Sequence, residues 1–295
     1  MYSILVTGSE GFIGKRLVGR LNSLGHNLLT FDKKPGKNNH IQGDLLDFDF
    51  SRVVEDFKPE RIIHLAAQIV VKDSFDIDEQ DLLVNTLGTL KLVRSALSLP
   101  NTEFIYIHSG GAVYDSNSPM PLDEESTVRP VSPYGVSKQA GEDYVRVLFE
   151  HVRRGWSSLA LSNCYGPIEE QQKAVIYEIS KCLLEGQSPK IFGSDVTRDL
   201  VYVDDVIDAI ILTLDKATNG RINISSGVEV SLFELVANIQ KVLGTSIAPE
   251  VFAPREGEVL RSCLSNKKAK KVLNWMPKYD LESGLKAALA SGTKR

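Results

Sequence analysis

The chain has 295 residues and a formal net charge of −4, with a pI near 5.8. Its length allows one large domain or two ordinary ones, each with a sizeable core. Its charge excludes a basic face for a nucleic-acid backbone, and no uncharged apolar run approaches the ~20 residues that span a bilayer.

Short strand-like runs alternate with helical patterns through the first half of the chain. Predicted strands lie at 3–7, 28–31, around Ile41, at 61–65, 104–108 and 159–163, and predicted helices at 12–24, from about 51, at 81–97 and 134–154. Such alternation predicts an α/β fold with a parallel, doubly wound sheet. Ligands then bind at the carboxyl ends of its strands.

Beyond Gly166-Pro167 the alternation loosens. The pattern predicts helices at 173–185, 232–242 and 281–290, short strands at 190–192 and 221–224, and a loop at 254–258. We therefore predict a first domain over 1–163 and a smaller mixed α/β domain over 164–295. The segment at about 195–213 is expected to return to the first domain.

The N-terminus enters the first strand pattern within three residues, without the layout of a secretory signal. We therefore expect a cytoplasmic protein that contacts neither nucleic acid nor membrane. The three cysteines, Cys164, Cys182 and Cys263, are far apart and lack C-x-x-C spacing. They predict reduced structural thiols and no metal site.

A glycine-rich turn follows the first strand, where residues 7–14 read TGSEGFIG. In a strand–turn–helix context, Gly8 allows a tight turn, Gly11 lets the backbone approach a pyrophosphate, and Gly14 permits close packing. The helix N-terminus adds N–H donors and a positive dipole. This arrangement predicts a dinucleotide site.

Asp32 ends the second strand, eighteen residues after Gly14. Its carboxylate can accept from both ribose hydroxyls but repels a 2′-phosphate, which favours NAD over NADP. Lys33 and Lys34 could screen such a phosphate, or form a solvated turn. Asp44 follows the third strand and is either an adenine contact or a helix cap.

Residues 132–138 read SPYGVSK, which places Tyr134 and Lys138 on one helical face. Ser132 suits an N-cap and Pro133 the first helical position. A cation within ~4 to 6 Å stabilises phenolate, so Lys138 could make Tyr134 a base. Alone, the pattern also fits a tyrosine packed against a lysine stem.

These motifs occur together in a fixed order along nearly the whole chain. They are TGSEGFIG at 7–14, Asp32, GDL at 43–45, HLAA at 64–67, NTLGT at 85–89, YGVSK at 134–138, NCYGP at 163–167 and RDLVYVDD at 198–205. The chain thereby resembles the extended short-chain dehydrogenase/reductases, in their nucleotide-sugar epimerase/dehydratase branch. This resemblance implies an NAD-binding Rossmann domain followed by a nucleotide-sugar-binding domain.

The resemblance also implies roles for individual residues. Tyr134 is the base, Lys138 holds the nicotinamide ribose and lowers the tyrosine pKa, and Ser109 assists. Residues implied at the NAD site are Gly8, Gly11, Phe12, Ile13, Gly14, Asp32, Lys33, Asp44, Leu45, Leu65, Ala66, Ala67, Asn85, Tyr134 and Lys138. Residues implied at the UDP-sugar site are Ser109, Tyr134, Asn163, Phe192, Arg198, Arg255 and Ser262.

Two positions depart from the family pattern. The third catalytic residue is usually a Ser or Thr three residues before a V-Y pair, where this chain has Gly110. Ser109, one residue earlier, either replaces that hydroxyl or is a structural turn serine. The arginine common three residues before the N-x-Y-G-P asparagine is Ala160, which puts a supporting ion pair in doubt.

The residues near the expected hydride separate the reactions of this branch. The 4,6-dehydratases resemble T-D-E before the V-Y pair, whereas Gly110, Gly111 and Ala112 supply no carboxylate. One hydride acceptor and one Tyr–Lys base are enough for a UDP-sugar 4-epimerase. The alternatives are a reductase, a dehydratase or a decarboxylase on the same fold, or a non-catalytic NAD-binding regulator.

The sugar and the assembly are predicted from two further features. Ser262, seven residues after Arg255, is small where some relatives carry an aromatic beside the sugar C2. We therefore expect UDP-GlcNAc/GalNAc alongside UDP-Glc/Gal. Family likeness implies a homodimer in which helices like those at 81–97 and 134–154 pair across a two-fold axis.

Overall fold

The computed structural model describes residues 1–69, 75–76, 78–168, 174–255 and 258–290. Its strands are β1 (Ser3–Thr7), β2 (Asn27–Asp32), β3 (His40–Gln42), β4 (Arg61–His64), β5 (Glu103–Ser109), β6 (Trp156–Leu161), β7 (Asn163–Tyr165), β8 (Lys190–Phe192), β9 (Thr197–Arg198), β10 (Leu200–Tyr202), β11 (Gly220–Ile224), β12 (Val230–Ser231) and β13 (Glu250–Phe252). Seven of them form a parallel sheet in the order β11-β6-β5-β4-β1-β2-β3. The doubly wound parallel sheet predicted from the alternation is confirmed.

Helices cover both faces of this sheet. They are α1 (Phe12–Ser23), α2 (Phe50–Phe57), α3 (Asp78–Asp81), a π-helical segment (Leu82–Gly88), α4 (Thr89–Ala96), α5 (Gly110–Val113), α6 (Pro133–His151), α7 (Val175–Leu184), α8 (Val203–Thr213), α9 (Leu232–Leu243), α10 (Lys267–Leu273) and α11 (Leu281–Leu289). Alternate residues of β1 face opposite layers, as strand geometry requires. Ile4 packs in a core with α1 and α8, whereas Leu5 packs in a second core with α2, α4 and α6.

Two segments differ from their predicted form. The helix expected at 81–97 begins at Asp78 and contains the π-helical turn, which sequence periodicity does not reveal. The strand expected at 159–163 divides at Ser162, whose N–H donates to the Ile224 carbonyl at 3.0 Å. The chain then leaves the main sheet, because β7 pairs with β10.

The expected assignment of the strand near Arg221 to the smaller domain is wrong. Strand β11 pairs in parallel with β6 and forms an edge of the main sheet. Helix α8 of the returning segment contacts α1, where Arg16 pairs with Asp204 at 3.3 Å. The domain boundary near residue 164 stays a prediction, and the start of the helix predicted at 173–185 lies outside the described residues.

Helix α6 begins as its sequence predicts. Ser132 is the N-cap, its hydroxyl accepting from the Gly135 N–H at 3.2 Å, and Pro133 occupies the first turn. Tyr134 and Lys138 are both buried on the same helix face. The helix therefore presents them beside the carboxyl end of β5. No described helix is long and apolar enough to cross a membrane.

Candidate active site

The glycine turn is closed by backbone contacts that leave no room for side chains. Gly8 has φ of 73°, and a Cβ there would lie 2.5 Å from the Ala66 nitrogen. A Cβ at Gly14 would lie 2.1 Å from the Gly8 carbonyl oxygen. Gly14 therefore permits the close packing expected there, and the element that α1 packs against is the glycine turn. Gly11 is less crowded, its nearest contact being 3.2 Å. The turn is a backbone cradle.

The cradle opens on free donors and a carboxylate. Gly11 is the N-cap of α1 and provides no side-chain cap, so the N–H groups of the first turn face outward unshielded. Asp32 holds its place by accepting from the Glu10 N–H and the Lys34 N–H, each at 2.9 Å. A pyrophosphate and a ribose therefore fit this end of the sheet. Phe12 packs toward Gly166, and Ile13 continues the same helix.

The residues that follow β2 and β3 differ in exposure. Lys33 and Asp44 are exposed, and Asp44 accepts from the Leu46 N–H at 2.9 Å, which stabilises a turn. Helix α2 is capped by Asp49, so the alternative interpretation of Asp44 as a helix cap is wrong. Leu45 is buried against Gly88. Its side chain belongs to the core.

Asn85 holds the loop that follows β4. Its side-chain oxygen accepts from the Gln68 N–H at 2.8 Å, and its amide donates to the Gln68 carbonyl and the Ser137 hydroxyl, both at 3.0 Å. Ser137 in turn donates to the Tyr134 carbonyl at 2.8 Å. Leu65, Ala66 and Ala67 lie at the start of this loop, beside Gly8. Asn85 therefore connects the predicted cofactor loop to the helix of the predicted base.

His64 fixes the same region from below. Thr89 donates to the Asn85 carbonyl at 2.7 Å, so at 3.0 Å from His64 Nε2 it is the acceptor. His64 Nδ1 then accepts from the Thr7 hydroxyl at 2.6 Å. Burial lowers the pKa of His64 to about 3, so the ring is neutral. Sequence reasoning passed over His64, although it lies within the HLAA motif.

Ser109 reaches the predicted base. Its side chain hydrogen-bonds the side chain of Tyr134, which is 7% exposed. Burial raises the pKa of Tyr134, and the bond to Ser109 only partly opposes this rise. The protein alone therefore does not produce the lowered tyrosine pKa that the family resemblance implies. A bound nicotinamide ring would add positive charge beside this phenol.

Gly110 has no space for the hydroxyl that the family usually carries there. A Cβ at this position would lie 2.6 Å from Leu264 Cδ1 and 3.1 Å from the Ala160 carbonyl oxygen. The chain thus packs α5 tightly on β6 at Gly110, and the adjacent hydroxyl is that of Ser109.

A buried ion pair joins β11 to α6 close to Ala160. Arg221 on β11 pairs with Glu142 on α6, and both side chains are largely buried. Ala160 lies opposite Asn223 on β11, two residues from Arg221. The strand next to Ala160 therefore supplies a buried guanidinium to α6.

Two of the predicted substrate residues, Asn163 and Ser262, lie close to Gly111 on α5. A Cβ on Gly111 would lie 3.5 Å from Asn163 Oδ1 and 3.6 Å from Ser262 Oγ. Asn163 is exposed, whereas Ser262 is 2% exposed and its hydroxyl has no hydrogen-bond partner among the described residues. The structure thus brings Asn163 and Ser262 together, and adds Gly111 to them.

The remaining predicted substrate residues form a second cluster. The Arg255 guanidinium lies 3.8 Å from the ring centroid of Phe192, and the Arg255 N–H donates to Glu258 Oε2 at 3.2 Å. Arg198 pairs with Glu258 Oε1 at 2.7 Å and also donates to two backbone carbonyls. Glu258 joins both arginines. Sequence reasoning placed it only in a loop.

No group of three or more His, Cys, Asp or Glu side chains in the described part of the chain could hold a metal ion. Cys164, Cys182 and Cys263 form no disulfide within the described residues, and burial raises the pKa of Cys263 to about 12.

Comparison with known proteins places this geometry in a family. The sequence model of the NAD dependent epimerase/dehydratase family matches residues 4–225. A UDP-glucose 4-epimerase of Mycolicibacterium smegmatis is 38% identical over 299 residues, covering 95% of both chains. A dTDP-D-glucose 4,6-dehydratase of Mus musculus is 30% identical, covering 96% of this chain and 86% of that protein.

A solved structure agrees over the full length. The crystal structure of UDP-glucose 4-epimerase with UDP-glucose from Thermotoga maritima superposes with a TM-score of 0.93, at 32% identity and 99% coverage of both chains. The resemblance found in the motifs is confirmed. The chain belongs to the NAD dependent epimerase/dehydratase family, with NAD as its cofactor.

Proposed function

We propose that this chain epimerises UDP-sugars at C4 through a transient 4-keto intermediate. The observation that carries the proposal is the buried Tyr134 side chain, which is hydrogen-bonded to Ser109 and shares one face of α6 with the buried Lys138. The UDP-glucose 4-epimerases described above resemble the chain over almost its entire length. Their substrate supports the assignment of a UDP-sugar here.

NAD, when bound, accepts the C4 hydride and returns it. In the proposed mechanism Tyr134 Oη takes the proton of the C4 hydroxyl. The Ser109 hydroxyl donates a hydrogen bond to the C4 oxygen of the sugar. Lys138 supplies positive charge on the same helix face. Arg198 and Arg255 hold the diphosphate while the planar sugar turns over and takes the hydride back on its other face.

A 4,6-dehydratase is the second candidate, because a relative with that name is 30% identical. Elimination of water needs an acid and a base near C5 and C6, and Gly110, Gly111 and Ala112 offer no carboxylate. Asp81 acts electrostatically on Tyr134 but is fully buried, so its carboxylate does not face a substrate. These residues favour epimerisation.

The small residues next to Asn163 also support acceptance of N-acetylated sugars. Gly111 has no side chain, and Ser262 is small and carries a hydroxyl free to bond a polar substituent. UDP-GlcNAc and UDP-GalNAc are therefore proposed as substrates beside UDP-Glc and UDP-Gal. A chain that converts only the unsubstituted pair would remove this part of the proposal.

Product analysis tests the proposal directly. The NAD-loaded protein is incubated with UDP-glucose and with UDP-GlcNAc while reduced nicotinamide absorbance is followed. An epimerase yields the C4 epimer with no net absorbance change. A reductase gives a stoichiometric change, a dehydratase yields a dehydrated 4-keto sugar, a decarboxylase acts only on a sugar acid, and a regulator yields no product. Any outcome but the first contradicts the proposal.

We also infer a homodimer through the outer face of α6 and the π-helical segment. Val136, Tyr144 and Val147 are 55%, 42% and 51% exposed along one side of α6, and Leu82 beside them is 55% exposed. Such an apolar stripe on a soluble surface is typical of an interface. The variant V136E should shift the sedimentation mass to that of a monomer, and an unchanged dimer would contradict this inference.

A further inference from the structure

The Lys138 ammonium is buried, and no carboxylate of the described residues contacts it directly. Its side chain is 3% exposed, and Nζ donates to the Ile107 carbonyl at 2.8 Å and lies 4.2 Å from the ring centroid of Tyr106. A carbonyl and an aromatic face stabilise a cation only partly. Removing a charge from water costs several kcal/mol unless a counter-charge compensates for it. The site therefore needs a negative group nearby.

Glu142 lies one helical turn after Lys138 on the same face of α6 and is 4% exposed. Arg221 fixes its carboxylate from β11, with Nε 2.9 Å from Oε1 and Nη2 bonded to Oε2. Gln139 accepts from Arg221 at 2.5 Å and completes the setting. The carboxylate is thus held in place by a fork of charged hydrogen bonds.

The charge of this carboxylate is secure. Burial would raise the pKa of Glu142, but the charge and hydrogen bonds of the Arg221 guanidinium hold it well below its usual value. Burial lowers the pKa of Lys138 to about 7, and Glu142 opposes that fall. The Glu142 carboxylate thus favours the charged form of Lys138, which lies on the same face of α6.

We propose that Glu142, fixed by Arg221, is the counter-ion that keeps the Lys138 ammonium charged. Glu142 and Arg221 are positioning residues that act on Tyr134 through Lys138. The inference rests on the proposed epimerase mechanism. Glu142 acts on Lys138 across the helix turn, while Asp81 acts on Tyr134. The other titratable groups packed around Lys138 are Tyr134 on α6, Tyr106 and His108 on β5, and His64 on β4.

The expected effect is a shift in the pH profile. Without the Glu142 charge, the Lys138 pKa falls further, so the ammonium is lost at a lower pH. Because the ammonium stabilises the phenolate, the alkaline decline of kcat/KM should move down by about one pH unit, giving a roughly tenfold relative loss above it.

The main test protein is E142Q/R221M, which removes both buried charges and leaves neither unpaired. The single variant E142Q keeps an amide oxygen that can accept from Arg221. It should show the same downward shift of the alkaline decline, and it provides a second test if E142Q/R221M does not fold. R221K, which retains the positive charge, is the matched control with an unshifted profile. A uniform loss of kcat/KM at every pH in E142Q/R221M and E142Q would show a structural role and overturn the proposal.

A second measurement needs no substrate. Phenolate absorbance is titrated in each protein and in its Tyr134→Phe counterpart, and the difference reports Tyr134. The midpoint should rise in E142Q/R221M, and an unchanged midpoint contradicts the proposal. If the wild type turns over no UDP-sugar, the proposed function fails, but this titration still tests Glu142.

Discussion

The cofactor side and the substrate side of the cleft are built in different ways. On the cofactor side, backbone atoms form the site, since Gly8 and Gly14 pack against other main-chain atoms. On the substrate side it is side chain, since Arg198 is bonded to Glu258 and Arg255 lies on Phe192. The cofactor side therefore has its shape without a ligand. On the substrate side, the Arg198 guanidinium is already paired with Glu258.

This difference shows where each half tolerates change. A crowded backbone turn cannot adapt, because neighbouring main-chain atoms cannot move away from an added carbon. Paired side chains can exchange partners, and a diphosphate would compete with Glu258 for Arg198 and bind the exposed guanidinium of Arg255. Substitutions should therefore affect folding and NAD retention on the first side, and KM on the second.

The largest effect is expected at Tyr134, where the two sides meet. Tyr134→Phe removes the proposed base but keeps the ring, so turnover should fall roughly a thousandfold. NAD content and melting temperature should change little. Tyr144→Phe, on the exposed side of α6, is the matched control. Full activity in Tyr134→Phe would refute the proposed mechanism.

Glycine substitutions test the backbone side. Gly14→Ala should lower the free energy of unfolding by about 3 kcal/mol and release NAD, because its methyl would lie 2.1 Å from a carbonyl oxygen. Gly19, in the same helix, has no neighbouring atom of the described residues within 4 Å of an added Cβ, the helix's own backbone aside. Gly19→Ala should therefore stabilise the protein by up to about 1 kcal/mol. Urea unfolding measures both, and equal effects would contradict a crowded cradle.

What the sequence could predict follows the same division. Local backbone rules govern the strand–turn–helix start, the position of Asp32 and the N-terminus of α6. These features could therefore be predicted from local patterns. Glu258 and Arg221 could not be, because their partners lie 60 and 79 residues away along the chain. The edge position of β11 likewise depends on long-range pairing. Periodicity describes an element but not its neighbour.

Arg255 tests the side-chain side. Its guanidinium is exposed, so Arg255→Gln should leave folding and NAD binding unchanged. Loss of a charged hydrogen bond to the diphosphate should raise KM for the UDP-sugar by roughly tenfold or more. The control is Arg52→Gln on α2, an equally exposed cation of the cofactor side. A changed kcat with constant KM would place Arg255 outside the substrate cluster.

The smallest effect is a gradual loss of stability in acid, confined to the sheet of the cofactor side. His64 and His108 are buried and neutral, and burial lowers the pKa of each to about 3. The unfolded chain, with an ordinary histidine pKa of 6.5, takes up protons that the folded chain refuses. Their contribution is thus present above pH 6.5 and is lost as the pH falls from 6.5 toward 3.

Between pH 6.5 and 5.5 each histidine should cost about 1 kcal/mol of unfolding free energy. His108→Asn should remove about half of the combined dependence of the two histidines, whereas His151→Asn at the exposed end of α6 should not alter it. Urea unfolding at both pH values measures the difference. If His108→Asn keeps the full wild-type dependence, acid sensitivity does not arise from this buried ring, and the cofactor side owes its rigidity to backbone packing alone.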